Sequence, residues 1–203
     1  MKLGSHNSFT YLKPKHWWMY PFIPMARCQT KDIKAQYEAG ARWFDLRIRF
    51  DKDGNLVVAH GLMVYKADRN FILDELLYLN ERAYVAGEQI CVRVLYELPG
   101  PDRSPQAKAN ADRFADFCSF VQKSFQHLTF VGGQRKNNWF KAFDFKTNEP
   151  QIKDLYSSCT FSHFDDLWPW LYATVMNNHN WSICKDVAPD TYMLADFVHK
   201  IKK

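Results

Sequence analysis

The fold is decided by the stretch AGARWFDLR at residues 39–47, where a carboxylate and a guanidinium lie two positions apart in an apolar run. Side chains alternate along a β-strand, so Asp45 and Arg47 are predicted to leave the same face. An Asp-Gly turn follows, and residues 56–59 form a second predicted strand that delivers His60. This hairpin is therefore predicted to bring together a carboxylate, a guanidinium and an imidazole.

A second polar cluster occurs near the N-terminus, in the sequence GSHNS at residues 4–8. A short strand is predicted to end at this point, which places His6 at the strand end. Cleavage of a phosphodiester by acid–base chemistry needs one imidazole to take a proton and another to return one. A guanidinium such as that of Arg47 would hold the phosphate and neutralise its developing charge. Together with His60, these residues indicate phosphodiester chemistry.

Predicted strands alternate with predicted helices along the chain, which favours an α/β fold with a parallel sheet. The strands are predicted at 42–50, 56–59, 90–96, 128–131 and 191–198, and the helices at 31–40, 71–86, 107–125 and 166–177. Polar residues recur where strands end, as they do at the active-site rim of a βα barrel. No repeat or linker interrupts the pattern, so residues 1–203 are predicted to form a single domain.

Composition narrows the functional classes. The 203 residues are 47% hydrophobic with a net charge of +5, which is typical of a globular protein with an anionic partner. The basic residues are dispersed, so no nucleic-acid partner is predicted. The five cysteines lack CxxC spacing, and no disulfide framework or structural zinc site is predicted. No apolar run approaches the ~20 residues of a spanning helix, and no signal peptide is recognised. The cellular location stays open.

The motifs GSHNS, AGARWFDLR and NLVVAHG (residues 55–61) resemble the catalytic domain of phosphatidylinositol-specific phospholipase C, in its bacterial, metal-independent branch. The match is strongest from Gly4 to Leu77. It implies a (β/α)8 TIM-type barrel of the phospholipase-C-like phosphodiesterases. The chain is short for this family, and residues 132–188 show no match. We therefore expect a distorted or reduced barrel.

The resemblance also implies a reaction, in which the inositol 2-hydroxyl attacks the neighbouring phosphorus to give a cyclic inositol phosphate and diacylglycerol. His6 would act as general base and His60 as general acid. Arg47 would bind a phosphate oxygen. Asp196 would orient His6 and stabilise its cation. Asp45 would fix either Arg47 or His60.

One residue departs from the bacterial pattern, because Asn7 stands where those enzymes carry an aspartate. Asparagine at this position resembles the calcium-dependent eukaryotic branch, in which Asn7, Asp45 and Glu97 would be calcium ligands. Arg47 occupies the place of a further acidic ligand, and a guanidinium would repel a divalent cation. We therefore predict no metal and no cofactor, with calcium as the alternative.

Two further sets of residues are predicted to meet the substrate or its membrane. Glu97 and Arg93 are candidates for headgroup binding, although Glu97 would instead pair with Arg93 or another cation if its role is structural. The segment 13–27 concentrates aromatic residues among lysines and arginines, as membrane-interface segments do. Trp17 and Trp18 are its candidates for lipid contact. The alternative is that these aromatic residues pack as ordinary core under the barrel rim. A compromise between the two, which we expect, would bury one tryptophan and expose the other.

The predicted partner is a phospholipid at a membrane surface, met by a monomer without a protein partner. Bacterial relatives are often secreted. One alternative function is a metal-dependent phosphodiesterase that acts on glycerophosphodiesters or sphingomyelin. Another is a barrel that binds a lipid headgroup without catalysing its cleavage.

Overall fold

The computed structural model describes residues 2–98, 105–135, 143, 145, 152–154, 169–184 and 191–202. The chain divides into two compact units. Unit 1 comprises Met1–Asp45 and Asn148–Lys203, and unit 2 comprises Leu46–Thr147. No described helix is both long and apolar enough to cross a membrane. The single domain predicted above stays a prediction.

Unit 1 is built on parallel strands. In spatial order they are β7 (Ile152–Asp154), β8 (Tyr192–Ala195), β1 (Lys2–Ser5) and the first half of β2 (Ala41–Phe50). Every residue of β8 is buried, as expected for a strand with neighbours on both sides. The register pairs Ser5 with Ala195, so β1 and β8 end side by side. The residues that follow these two strands are thereby brought to one edge.

Short helices complete the described part of unit 1, together with one longer helix. They are a 3₁₀ helix at Trp17–Phe22, α1 (Ile23–Ala26), α2 (Ile33–Glu38), α5 (Pro169–Cys184) and a 3₁₀ turn at Val198–Lys200. Asp32 caps α2 by accepting a 2.8 Å hydrogen bond from the Ala35 amide, so this helix is shorter than predicted. Pro24 lies in the first turn of α1, a position that needs no amide donor.

Unit 2 combines an antiparallel hairpin with a parallel strand pair. The second half of β2 pairs with β3 (Leu56–His60), and β3 pairs with β4 (Met63–Val64). On the other side, β5 (Ile90–Tyr96) pairs with β2 and runs parallel to β6 (Leu128–Arg135). Two long helices, α3 (Arg69–Ala86) and α4 (Ala107–Ser124), precede β5 and β6. The predicted α/β class is therefore confirmed.

The described residues do not show a complete (β/α)8 barrel. Parallel pairing is present between β1 and its neighbours and between β5 and β6, but β3 and β4 form an antiparallel hairpin. A regular βα unit would place a helix there. The predicted last strand is also shorter than expected, since β8 ends at Ala195 and Asp196 lies beyond it.

The strand predicted at residues 128–131 was expected to end before Gly132 and Gly133. This was wrong, because β6 continues through both glycines to Arg135. The register against β5 shifts between Val94 and Leu95, which marks a bulge. Gly132 has φ +91°, and a Cβ there would lie 2.6 Å from the Val94 carbonyl oxygen. Glycine thus bends the strand here without ending it.

This geometry generates a stability prediction. Gly132→Ala should lower the free energy of unfolding by more than about 2 kcal/mol, since it adds a backbone clash to the cost of a left-handed alanine. Gly87→Ala is the matched control, because Gly87 has φ +61° but open space around its Cβ position. It should cost only about 1 kcal/mol. Urea unfolding of the two variants measures the difference, and equal losses would contradict the clash at Val94.

Candidate active site

His6 and Asp196 face each other across the ends of two neighbouring parallel strands. His6 follows β1, Asp196 follows β8, and the His6 amide donates a 3.1 Å hydrogen bond to the Ala195 carbonyl. The side chains meet with His6 Nδ1 2.9 Å from Asp196 Oδ1. The carboxylate is almost completely buried, whereas the imidazole is 16% exposed. The pair therefore joins a solvent-accessible base to a buried carboxylate.

Buried amide side chains hold the backbone on both sides of this pair. Gln29 Nε2 donates to the His6 carbonyl at 3.1 Å and to the Ala195 carbonyl at 2.9 Å. Asn177, on α5, donates from Nδ2 to the Asp196 carbonyl at 2.6 Å. Neither amide was predicted from the sequence, because nothing local to Gln29 or Asn177 indicates which distant carbonyl it meets. Together they fix the positions of His6 and Asp196.

Asp45 and Asn7 organise the turn after His6. Asp45 Oδ2 accepts a hydrogen bond from the Asn7 amide at 3.2 Å, and the Asp45 amide donates to Ser8 Oγ at 2.8 Å. Asn7 adopts φ 45°, a left-handed conformation that asparagine tolerates better than most residues. Its Nδ2 lies 3.3 Å from His6 Nε2 and donates to Cys28 Sγ at 3.4 Å. Asp45 thus positions the backbone beside His6, and its predicted action on Arg47 or His60 stays a prediction.

Unit 2 contains a second polar centre, formed by Arg47 and Glu97. Arg47 Nη1 lies 3.6 Å from Glu97 Oε2, and both side chains are buried. The Glu97 amide donates to the Ile48 carbonyl at 2.8 Å, which fixes the end of β5 beside β2. Glu97 Oε1 accepts a 2.8 Å hydrogen bond from the Gly61 amide, directly after His60. Glu97 therefore links the guanidinium to the turn that carries His60.

Arg49 supports the same turn, a role that the sequence did not indicate. Its guanidinium donates to the Gly61 carbonyl at 3.2 Å and to the Leu62 carbonyl at 3.4 Å. Burial lowers the pKa of Arg49, while the Glu97 charge acts in the opposite direction. An arginine stays protonated despite such a shift, so Arg49 adds a fixed positive charge near Glu97.

His60 and Arg93 both lie on strands of unit 2. His60 is the last residue of β3 and is partly exposed. Arg93 lies in β5 opposite Val131 and is also partly exposed. Glu97 pairs with Arg47, which agrees with the alternative that Glu97 binds a neighbouring cation of the protein. Contacts of Arg93 and Glu97 with a substrate stay predictions.

The alternative calcium set does not fit the observed contacts of Glu97. Calcium takes 6–8 oxygen ligands at about 2.3–2.6 Å. One Glu97 oxygen accepts the Gly61 amide, and the other faces the Arg47 guanidinium. A divalent cation bound to that carboxylate would lie beside a buried positive charge and be repelled.

The aromatic segment of unit 1 is more exposed than predicted. Trp17 is 84% exposed and Trp18 is 50% exposed, so the expectation that one of them is buried was wrong. Met19 is the buried residue of this 3₁₀ helix instead. Tyr20 and Phe22 are exposed as well. Most aromatic side chains of this 3₁₀ helix therefore lie at the surface.

Comparisons with known proteins give no match by sequence. No protein-family model matches the chain, and no curated protein matches it.

Solved structures do match the fold over nearly the whole chain. A phosphatidylinositol-specific phospholipase C of Staphylococcus aureus is similar with a TM-score of 0.62 and 13% identity, covering 100% of this chain and 92% of that one. The corresponding enzyme of Listeria monocytogenes gives a TM-score of 0.62 and 14% identity with the same coverage. The H258Y mutant of the S. aureus enzyme gives 0.60 at 14% identity, covering 99% and 91%. The resemblance predicted from the sequence is thereby confirmed at the level of the fold, which is that of the bacterial phosphatidylinositol-specific phospholipases C.

Proposed function

We propose that this protein is a phosphodiesterase of the phosphatidylinositol-specific phospholipase C type. The observation that carries the proposal is the His6–Asp196 pair, with 2.9 Å between its nitrogen and oxygen atoms. A buried carboxylate holding a solvent-accessible imidazole is the arrangement that general bases use to activate a hydroxyl group. The fold shared with solved phospholipases C supports the same reaction class.

The reaction begins with proton transfer to His6. The imidazole takes the proton of a substrate hydroxyl, inositol O2 in the proposed substrate, and that oxygen attacks the adjacent phosphorus. Asp196 stabilises the imidazolium that forms, because its negative charge lies within hydrogen-bond distance. Asp45 and Gln29 keep the backbone of His6 in place during this step. General base catalysis of this kind contributes ~10²–10⁴-fold.

Arg47 and His60 serve the second half of the reaction. Arg47 binds a non-bridging phosphate oxygen and neutralises the charge that develops there. His60 donates a proton to the leaving diacylglycerol oxygen as its bond to phosphorus breaks. The products are a cyclic inositol phosphate and diacylglycerol, and exchange with water resets both imidazoles. β2 connects the two centres covalently, since Asp45 and Arg47 are two residues apart on this strand.

The proposed mechanism uses no divalent cation. Buried Arg47 supplies the positive charge for the phosphate, and its pairing with Glu97 removes that carboxylate from a calcium site. A metal-dependent phosphodiesterase would need a cluster of free carboxylates. The same pairing keeps the guanidinium oriented before the substrate arrives, which lowers the reorganisation needed in the transition state.

The aromatic segment is the proposed membrane contact. Trp17 and Trp18 are exposed beside Lys13 and Lys15, which are exposed too. Tryptophan favours the membrane–water interface, and lysine is attracted to anionic lipid. The substrate would thus be met at a membrane surface. Headgroup selection by Glu97 and Arg93 belongs to the same proposal.

The general-acid role of His60 can be tested with two substrates. His60→Ala should reduce turnover of phosphatidylinositol by ~10²–10⁴-fold, because the alkoxide then leaves without a proton. A substrate with a nitrophenolate leaving group should lose far less, since that group leaves without help. Rates on both substrates give the measurement.

Two control variants accompany this test. His6→Ala should reduce both rates alike, because each substrate needs its hydroxyl activated. His127→Ala should change neither, since His127 is an exposed histidine that packs against Tyr84. If His60→Ala lowered the turnover rates of both substrates equally, the general-acid role of His60 would be contradicted.

The membrane contact can be tested separately. Replacing Trp17 and Trp18 by alanine should weaken binding to vesicles containing anionic lipid by on the order of tenfold or more, from the apolar surface removed. Hydrolysis of a soluble substrate should be unchanged. Tyr84→Ala is the matched control, because Tyr84 is 69% exposed but lies on α3. If vesicle binding and soluble turnover fell together, the tryptophans would support the fold or the active site and the proposed membrane contact would be contradicted.

A further inference from the structure

The thiol of Cys28 lies beside the catalytic pair and has no role in the proposed mechanism. Cys28, His6 and Asp196 each offer one ligand atom, and these atoms all lie within 4.8 Å of one another. Cysteine sulfur, imidazole nitrogen and carboxylate oxygen are the three donor types that bind zinc. The residues are far apart in the sequence, so no ligand spacing revealed them.

The geometry points to a regulatory site for zinc, or another thiolate-binding divalent metal, at His6, Cys28 and Asp196. Metal bound there would occupy the general base and its carboxylate and so inhibit the enzyme. The inhibition rests on the proposed function, whereas the metal binding does not.

The observed distances are close to those of a tetrahedral zinc site. Zinc bonds of about 2.0–2.1 Å to nitrogen and oxygen and about 2.3 Å to sulfur place the ligand atoms about 3.3–3.6 Å apart. His6 Nδ1 and Asp196 Oδ1 are already 2.9 Å apart. Because the three ligand atoms all lie within 4.8 Å of one another, side-chain movements of about 1 Å would bring them to the separations of a zinc site.

The three ligands are held on backbone segments that are bonded to each other. The Cys28 carbonyl accepts a 2.7 Å hydrogen bond from the Phe197 amide, directly after Asp196. Phe197 adopts φ 49°, an uncommon conformation for a bulky residue. The neighbouring Gln29 side chain donates to the carbonyls of His6 and Ala195. The thiol is therefore brought to the pair by the same contacts that position the pair.

His6 is the most exposed of the three ligands. Cys28 and Asp196 are each only 2% exposed, while the His6 side chain is 16% exposed. A metal with three protein ligands keeps one position for water, as catalytic zinc sites do. Calcium and magnesium prefer oxygen ligands and do not bind thiolate well. The site should therefore discriminate zinc from both.

Binding is tested with cobalt as a spectroscopic probe. Titrating the metal-free protein with Co²⁺ should produce thiolate-to-cobalt charge-transfer absorption in the near ultraviolet. Cys28→Ser should abolish this band. Cys118→Ser, the matched control, should retain it, because Cys118 is a buried cysteine on α4 that is not among the three ligands. A missing band, or one that persists in Cys28→Ser, would overturn the inference.

A measurement on the unaltered protein covers the case in which Cys28→Ser does not fold. X-ray absorption of the zinc-loaded protein should show one sulfur neighbour at about 2.3 Å. A shell of nitrogen and oxygen alone would refute the site.

Inhibition is tested on phosphatidylinositol turnover. Zinc should suppress the rate, EDTA should restore it, and calcium and magnesium at the same concentration should not inhibit. In Cys28→Ser the inhibiting zinc concentration should rise at least ~10-fold, since loss of even an outer-shell partner costs ~10–100-fold in affinity. Turnover unaffected by zinc would refute the inhibition. A protein that shows the cobalt band but has no turnover would support the metal site and contradict only the proposed function.

Discussion

The candidate active site depends on the parallel register between β1 and β8. Ser5 and Ala195 are the last residues of these strands and are paired. The residues that follow them are His6 and Asp196, whose Nδ1 and Oδ1 atoms lie 2.9 Å apart. A shift by one residue would send these side chains to opposite faces of the sheet and separate the pair. The register is stabilised by buried apolar side chains along both strands and by the Gln29 side chain at their ends. The contact between His6 and Asp196 therefore follows from the pairing of two strands that are far apart in the sequence.

Buried side chains at this edge hydrogen-bond the backbone where β1 and β8 end. Gln29 and Asn177 donate hydrogen bonds to backbone carbonyls at and just beyond the strand ends, and Asp45 accepts one from the amide of Asn7. Buried carbonyls and amides are costly unless they are hydrogen-bonded, so these side chains stabilise the fold while they position His6. In unit 2, Glu97 acts similarly towards Arg47 and the turn after His60. At both centres, the contacts that stabilise the backbone also position the candidate catalytic side chains.

The sequence predicted the α/β class and the strands that carry the site, because strand periodicity and turn residues are local signals. It also predicted that His6 and Asp196 belong together, through the family resemblance. The Gln29 contacts were not predictable, since Gln29 and Ala195 are separated by 166 residues and no local pattern specifies their meeting. The continuation of β6 past Gly132 was missed because glycine signals a turn and a bulge equally well. The exposure of Trp18 was not predicted, because Trp18 lies in a 3₁₀ helix and the prolines of this segment do not indicate a helix in the sequence.

In the proposed mechanism, a neighbouring hydroxyl group attacks the phosphodiester after activation by His6, without a metal. Phosphorus NMR of phosphatidylinositol micelles incubated with the protein, with and without EDTA, tests it most directly. We expect a cyclic phosphodiester signal that forms equally well in both samples. A signal that EDTA abolishes and calcium restores would contradict metal independence, and release of inositol phosphate without any cyclic intermediate would contradict attack by the neighbouring hydroxyl.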